Sequence, residues 1–190
     1  RYLMQANQRL RIAWSIRGEM GTLTDIEPDG VFVPLEGSSV ISAFYLAELL
    51  IRLLHKHEPH QELFNAYHTA ICKLKNKKPE NSTLRIFEKH LLTSLGYGLI
   101  LDHDVDLEVA IEANKKYFYY IDHGPVERQT MASGFVTVSG STLIALEQEN
   151  IEIPDDLQEA QHLMRSTLEK HLGNKALASR ELYRAYMADR

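Results

Sequence analysis

The sequence predicts an α+β protein, with β structure in residues 1–37 and a mainly α-helical domain in residues 38–190 that carries a small β insertion around 115–140. Three patterns carry this. Leu10, Ile12, Trp14 and Ile16 alternate with Arg9, Arg11, Ala13, Ser15 and Arg17, the period of a half-buried strand. Between Ile41 and Leu95 apolar residues recur at helical spacing in three successive stretches. Two aromatic and β-branched runs, Tyr117 to Ile121 and Phe135 to Val138, then read as strands.

Each element has a local reason. Gly18 and Gly21 bracket a turn after the first strand, Thr22 to Ile26 and Val31 to Val33 are further strands, and Pro28-Asp29-Gly30 is the turn between them. Leu46, Leu49, Leu50, Leu53 and Leu54 form the stripe of a first helix, which Pro59 separates from a second. The second shows Leu63, Phe64, Tyr67, Ala70, Ile71 and Leu74, with Lys73, Lys75, Lys77 and Lys78 crowding its C-terminal end, where cations suit the dipole. Asn81-Ser82 is expected to cap a third helix whose core stripe is Leu84, Phe87, Leu91 and Leu95, with Gly96 just past its end. His123-Gly124-Pro125 marks a turn or loop. Ser141 is the expected cap of a helix through Leu146. Asp155 with Gln158 resembles a capping box for a helix from Pro154 to Gly173, and Ser179 the cap of a last helix through Tyr186.

At 190 residues and 44% hydrophobic content the chain is long and apolar enough for a buried core, and it is not a disordered composition. No apolar run reaches the roughly 18 residues of a bilayer span. The single cysteine, Cys72, excludes a disulfide framework and any zinc site built from several thiolates. A cytoplasmic protein is expected.

The net charge of −5 conceals a segregation. Residues 101–160 carry three basic and thirteen acidic side chains, whereas residues 161–190 carry six basic and three acidic ones. Screening confines the influence of the acidic segment to about 8–10 Å, so a basic face can act beside it. In the last thirty residues Arg165, Lys170, Lys175, Arg180 and Arg184 surround the loop Gly173-Asn174-Lys175, interleaved with His171, Tyr183 and Tyr186. Cations neutralise phosphates and aromatics stack on unpaired bases, so this is a candidate nucleic-acid surface. The alternative is a basic helix surface with core tyrosines.

Other constellations are weaker. The run Asp102-His103-Asp104-Val105-Asp106-Leu107-Glu108 invites a metal, but a calcium loop would need glycine and glutamate where Leu107 and Ala113 stand. It reads as a solvated acidic loop. His55, His57 and His60 do not share a helix face. Cys72 lies on an apolar helix face and is expected to pack. No nucleophile elbow, Walker loop or dinucleotide fingerprint occurs.

Four strings carry a resemblance. Trp14-Ser15-Ile16-Arg17-Gly18-Glu19-Met20-Gly21-Thr22-Leu23, Tyr45-Leu46-Ala47-Glu48-Leu49-Leu50-Ile51-Arg52-Leu53-Leu54, Leu84-Arg85-Ile86-Phe87-Glu88 with Leu91 to Gly98, and Leu172 to Leu182 stand in this order along the chain. In that order they resemble the bacterial RecO family of DNA repair proteins. The resemblance implies an OB-fold, of which residues 1–37 are the C-terminal part and roughly fifty residues would precede. It implies a non-catalytic recombination mediator that binds single- and double-stranded DNA and anneals complementary strands. Its implied partners are the acidic tail of single-strand-binding protein and RecR, with which it helps load RecA, and a nucleoid-associated location follows. Two departures stand out. The four-cysteine zinc site of many members has no cysteine here between 101 and 140, and Ala178 replaces the lysine of the family's ending. No cofactor, metal or catalytic residue is expected.

The residues expected to contact DNA are therefore Arg9, Arg11, Arg17, Arg165, Lys170, Lys175, Arg180 and Arg184. Arg180 is the one that would equally anchor Glu181 or Asp189. Arg85 and Lys89, four apart, with Leu92 three further on, are expected to form an exposed helix face with two cations and an apolar edge. That face would suit an acidic tail ending in a carboxylate, and the family uses an arginine at the position Arg85 matches. The alternative is an ordinary exposed face on which Arg85 pairs with Glu88. Two rival functions are a metal-dependent nuclease or hydrolase using Asp102, Asp104, Asp106 and Glu108, and a helical adaptor with no DNA contact.

Overall fold

The computed structural model describes all residues except 1–4, 19, 31–33, 77–79, 130–132, 174–175 and 189–190, together with all described side chains except that of Arg17. The predicted strand Val31 to Val33 and the candidate Lys175 lie outside the described residues. The alternating N-terminal segment forms an antiparallel hairpin, β1 (Leu10–Arg17) and β2 (Met20–Pro28), turned at Gly18, whose φ of +70° suits glycine. Opposite the Ala13–Trp14 step the register shifts, so Thr24 is an extra residue in β2. Trp14 lies across Gly21: a Cβ there would come within 2.8 Å of the indole. Ile12, Trp14 and Ile16 are nevertheless all exposed.

The chain then folds into α1 (Ser38–Leu53), α2 (Gln61–Lys75) and α3 (Glu80–Ser94). After α3 come a two-residue-per-strand hairpin of β3 (His103–Asp104) and β4 (Val109–Ala110), and a sheet in the order β6 (Gly124–Val126), β5 (Lys116–Tyr120), β7 (Phe135–Ser139). All pairings are antiparallel. The expected turn at Gly124-Pro125 is instead a short edge strand, which tolerates proline because the missing N–H faces away from the ladder. Three helices close the fold: α4 (Gly140–Glu147), α5 (Pro154–Leu172) and α6 (Ala178–Ala188).

One core joins α1 to α5 and the three-stranded sheet. Leu46 and Leu49 of α1, Phe87, Leu91 and Leu92 of α3, Leu143 and Leu146 of α4, and Leu163, Met164 and Leu168 of α5 are buried together with Tyr117, Tyr119 and Val138 of the sheet. The end of α3 follows the expected glycine stop. Gly96 adopts φ +82°, its N–H bonds the Thr93 carbonyl, and the N–H of Tyr97 bonds the Leu92 carbonyl at 2.8 Å.

The expected helix starts are corrected in a consistent way. Where its N-cap is described, no helix uses its own N-cap side chain. Asn81 and Ser82 lie inside α3, whose first residue Glu80 instead accepts hydroxyl bonds from Ser38, Ser39 and Ser42 at the start of α1. Ser141 lies inside α4 and donates to Asp156, and Thr142 donates to both Asp156 and Glu159. The proposed capping box dissolves because Pro154 begins α5 directly, with Asp155 and Asp156 in its positive first turn. Ser179 does not cap α6 itself. Glu48, from α1, accepts the N–H of Ala178 at 2.9 Å and both the N–H and hydroxyl of Ser179 at 2.9 and 2.7 Å. The helix ends are thus tied across the fold rather than along the chain.

Burial pushes the Glu48 carboxyl up, but the Ser179 and Ala178 bonds and Arg52 outweigh it and hold it below the ordinary range. A carboxylate lowered in the fold stabilises above the unfolded value and loses that contribution as pH falls through the folded one. Glu48→Gln is expected to cost about 1 kcal/mol near neutral pH, the worth of a helix cap. The difference from wild type in urea unfolding should narrow as the pH drops below the ordinary value of 4.5. A difference that stays constant down to acid pH would mean the charge of Glu48 does not hold α6.

Candidate nucleic-acid interface

The C-terminal cations converge in part. Arg165 and Glu169 stand one turn apart on α5, which stops at Gly173, at φ +67°, and α6, packed chiefly on α1, reaches Glu169 through Arg180. A depression of about 390 Å³ opens between the two helices, with Arg165, Arg180 and Arg184 around it and Leu172 and Leu177 in its floor. Glu169 sits among the arginines. One of its oxygens, Oε1, accepts from Arg165 Nε and from Arg180 Nη1, each at 2.8 Å. These two bonds hold its carboxyl below the ordinary range. Arg184 is exposed on the same rim.

The other candidates lie elsewhere. Lys170 pairs with Asp122 from the β5–β6 turn, and His171 stacks on Tyr97 with ring centroids 3.9 Å apart. Tyr183 is exposed, while Tyr186 is half-buried. Arg9 and Arg11 do not line the pocket. Arg9 pairs with Asp29 at 2.7 Å and lies 5.6 Å over the ring of Phe64 on α2. Arg11 is exposed on β1.

The expected partner face on α3 is corrected. Leu92 is fully buried in the core, and Arg85 is only 7% exposed. Lys89 is turned onto the end of α4, where its ammonium bonds the carbonyls of Leu146 and Glu147 and pairs with Glu147 and Glu149. The helix buries this face as well as the Leu84, Phe87 and Leu91 stripe because α1, α2, α4 and α5 all pack on it. What that face builds is a buried polar centre. Glu88, wholly buried, accepts from Arg85 Nη2 at 2.8 Å and from the Tyr45 hydroxyl at 2.5 Å. Loss of water raises the Glu88 carboxyl, and Arg85, the Tyr45 bond and Arg180 counter that rise. Tyr45 is pushed well up by its own burial and by Glu88. Glu88 Oε2 and Arg85 Nε have no partner in this centre. Arg180 therefore stands between Glu88 and Glu169, and its motif position is explained first by structure.

The acidic run is also corrected. It is not merely a solvated loop, because Asp104 is fully buried in the β3–β4 hairpin. Its Oδ1 accepts the N–H groups of Asp106 and Leu107, and its Oδ2 that of Glu127. Asp102 pairs with His103 and Asp106 with His123. Among the described residues no three His, Cys, Asp or Glu side chains are arranged to hold a metal. Cys72 is half-buried, 3.7 Å from His68 Nε2. Among the described residues no helix is long and apolar enough to cross a membrane.

Residues 36–181 match the family model described as Recombination protein O C terminal, which places the helical part of this fold in the DNA-repair class. The DNA repair protein RecO of Nitrosospira multiformis is 37% identical over 187 residues, 98% of this chain and 77% of that protein. That of Coxiella burnetii strain RSA 331 is 41% identical over 175 residues, covering 91% and 74%. That of Nitrosococcus oceani is 39% identical over 180 residues, covering 95% and 73%. The chain belongs to the RecO family of DNA repair proteins.

Sequence reasoning missed Glu48 and Glu169, and it named the Arg85–Glu88 pair only as an alternative on an exposed face, whereas the structure buries that pair. The i+4 spacing to Arg165 hinted at Glu169. Glu88→Ala should cost about 3–5 kcal/mol, because Arg85 would keep a buried charge without a partner. Replacing both by apolar residues of similar size, Arg85→Met with Glu88→Leu, should recover most of that loss. Urea unfolding of the single and double variants checks it: a double variant as unstable as Glu88→Ala alone would mean the charge pair is not the source of the cost.

Proposed function

We propose that this protein acts in DNA repair without covalent chemistry, as a recombination mediator that binds single- and double-stranded DNA and brings complementary strands together. The observation that carries this reading is the convergence of Arg165, Arg180 and Arg184 on one pocket between α5 and α6. Guanidinium groups neutralise phosphates without reading bases, which is what annealing requires. Arg11 and Arg9 on the hairpin, with Arg17 and Lys175, supply further phosphate contacts in this reading. The hairpin is read as part of an OB-fold, and the exposed apolar side chains of Ile12, Trp14 and Ile16 support that. The setting is the cytoplasm, at the nucleoid, with RecR as a partner in loading RecA.

Replacing Arg165 and Arg184 together by alanine should weaken binding to a labelled oligothymidylate and to a duplex alike. It should also lower the slope of log affinity against log salt by about two units. Wild-type affinity in that variant at low salt would reject the pocket as the phosphate contact.

For the tail of single-strand-binding protein we propose the groove between α2 and α3 in place of the Arg85 face. This groove, of about 450 Å³, is lined by Ala66, Ala70, Ile86 and Phe87 with Lys73 beside them, and by the carboxylates Glu62 and Glu149, the second of which pairs with Lys89. An apolar slot beside an ammonium suits a peptide that ends in acidic residues, an apolar side chain and a carboxylate. Lys73→Ala should weaken a tail peptide by about fivefold, on the order of 1 kcal/mol. An unchanged titration would place the tail elsewhere.

A further inference from the structure

We infer that Glu169 is a built-in anionic occupant of the phosphate pocket, so that DNA engages Arg165 and Arg180 by displacing its carboxylate. This rests on the α5–α6 pocket being the phosphate contact proposed above.

The geometry is that of a ligand rather than of a simple pair. A single oxygen of Glu169 bridges two guanidiniums that come from different helices, at 2.8 Å from each. Arg165 gives it one N–H, from Nε, and Arg180 gives it one, from Nη1, so neither arginine makes the two-bond fork that a carboxylate or phosphate best satisfies. A phosphodiester has two non-bridging oxygens and can take one arginine on each. The exchange is easy in energetic terms. Arg165 is 55% exposed and Glu169 47%, and ion pairs in that setting are weak and screened. Glu169 is also on α5 itself, one turn from Arg165, so it swings away by changing side-chain torsions while the backbone stays in place. The pocket volume of about 390 Å³ leaves room for the incoming group, and Arg184 on the rim adds a third cation to it.

The consequence is a tempered affinity. While Glu169 bridges the arginines, the pocket presents a partly neutralised face. A phosphate must offer more than the carboxylate does, which a polyanionic strand achieves through neighbouring contacts and an isolated anion does not. An annealing factor that must release its strands gains from such a competitor.

The experiment is a salt-dependent titration of labelled oligothymidylate with the full chain. Glu169→Gln keeps the shape but removes the charge. It should bind about three- to tenfold more tightly at low salt, with the salt slope little changed, since the same arginines neutralise phosphate in both complexes once the carboxylate is displaced. Glu181→Gln is the control. Glu181 is exposed on the same pocket, and no bond ties it to Arg165 or Arg180. It should gain less than twofold. Glu169→Asp retains the charge but withdraws it from the bridge, and should fall between Glu169→Gln and wild type. Equal gains from Glu169→Gln and Glu181→Gln, or no gain from Glu169→Gln while Arg165→Ala with Arg184→Ala weakens binding, would overturn the bridge and leave the pocket standing. If the double arginine variant binds as wild type does, the pocket reading falls and the inference with it.

Discussion

A single buried carboxylate sets the terms for the helical domain. Glu88 has no access to water, and an isolated ionised carboxylate in that position would be costly enough to be abandoned. It is retained because three helices reach it: α1 through Tyr45, α3 through Arg85, and α6 through the field of Arg180. Arg85 is three residues away on α3 itself, but Tyr45 and Arg180 come near only when the helices are packed. The centre therefore makes little contribution to any helix alone and discriminates against every packing in which α1, α3 and α6 are misplaced. Glu48 repeats the arrangement a turn further along α1, where it receives the first two N–H groups of α6. The apolar core supplies the cohesion. The two glutamates choose which arrangement of that core is kept.

This division explains what was legible in the sequence. The helices were visible because their apolar stripes repeat at 3.6 residues, and the hairpin because its residues alternate, and both are local signals. Gly96 and Gly173 were readable as stops because a positive φ is a demand of one residue on itself. The helix starts were not readable, because the partners that satisfy them lie far along the chain. Glu80 is bound by serines about forty positions earlier, and Ser179 by Glu48, 131 positions away. Asp104 was misjudged for the same reason. An aspartate in an acidic run looks solvated until Glu127 and the hairpin turn are seen to donate to it.

Charge behaved similarly. A chain total of −5 argues against a polyanionic ligand, yet three arginines share one pocket. Sequence counts located the basic segment but could not say which cations were already engaged. Lys170 is taken by Asp122, Arg9 by Asp29 and the Phe64 ring, and Lys89 by the end of α4. The helical wheel of α3 misled because it assumes one buried face, whereas four helices pack on α3.

The strings that carry the family resemblance contain Tyr45, Glu48, Arg85, Glu88, Ser179 and Arg180. In space these six residues are one set of contacts among α1, α3 and α6. The three helical strings are thus a record of how the helices lock, while the fourth, Trp14 to Leu23, lies in the exposed hairpin. Arg165 and Arg184, which give the pocket most of its exposed charge, lie outside all four strings. Arg180 belongs to both worlds: its guanidinium answers Glu88 from one side and Glu169 from the other. A substitution at Arg180 would disturb packing and pocket together and could not separate them. The exposed arginines, and the glutamate between them, are where binding can change while the fold is kept.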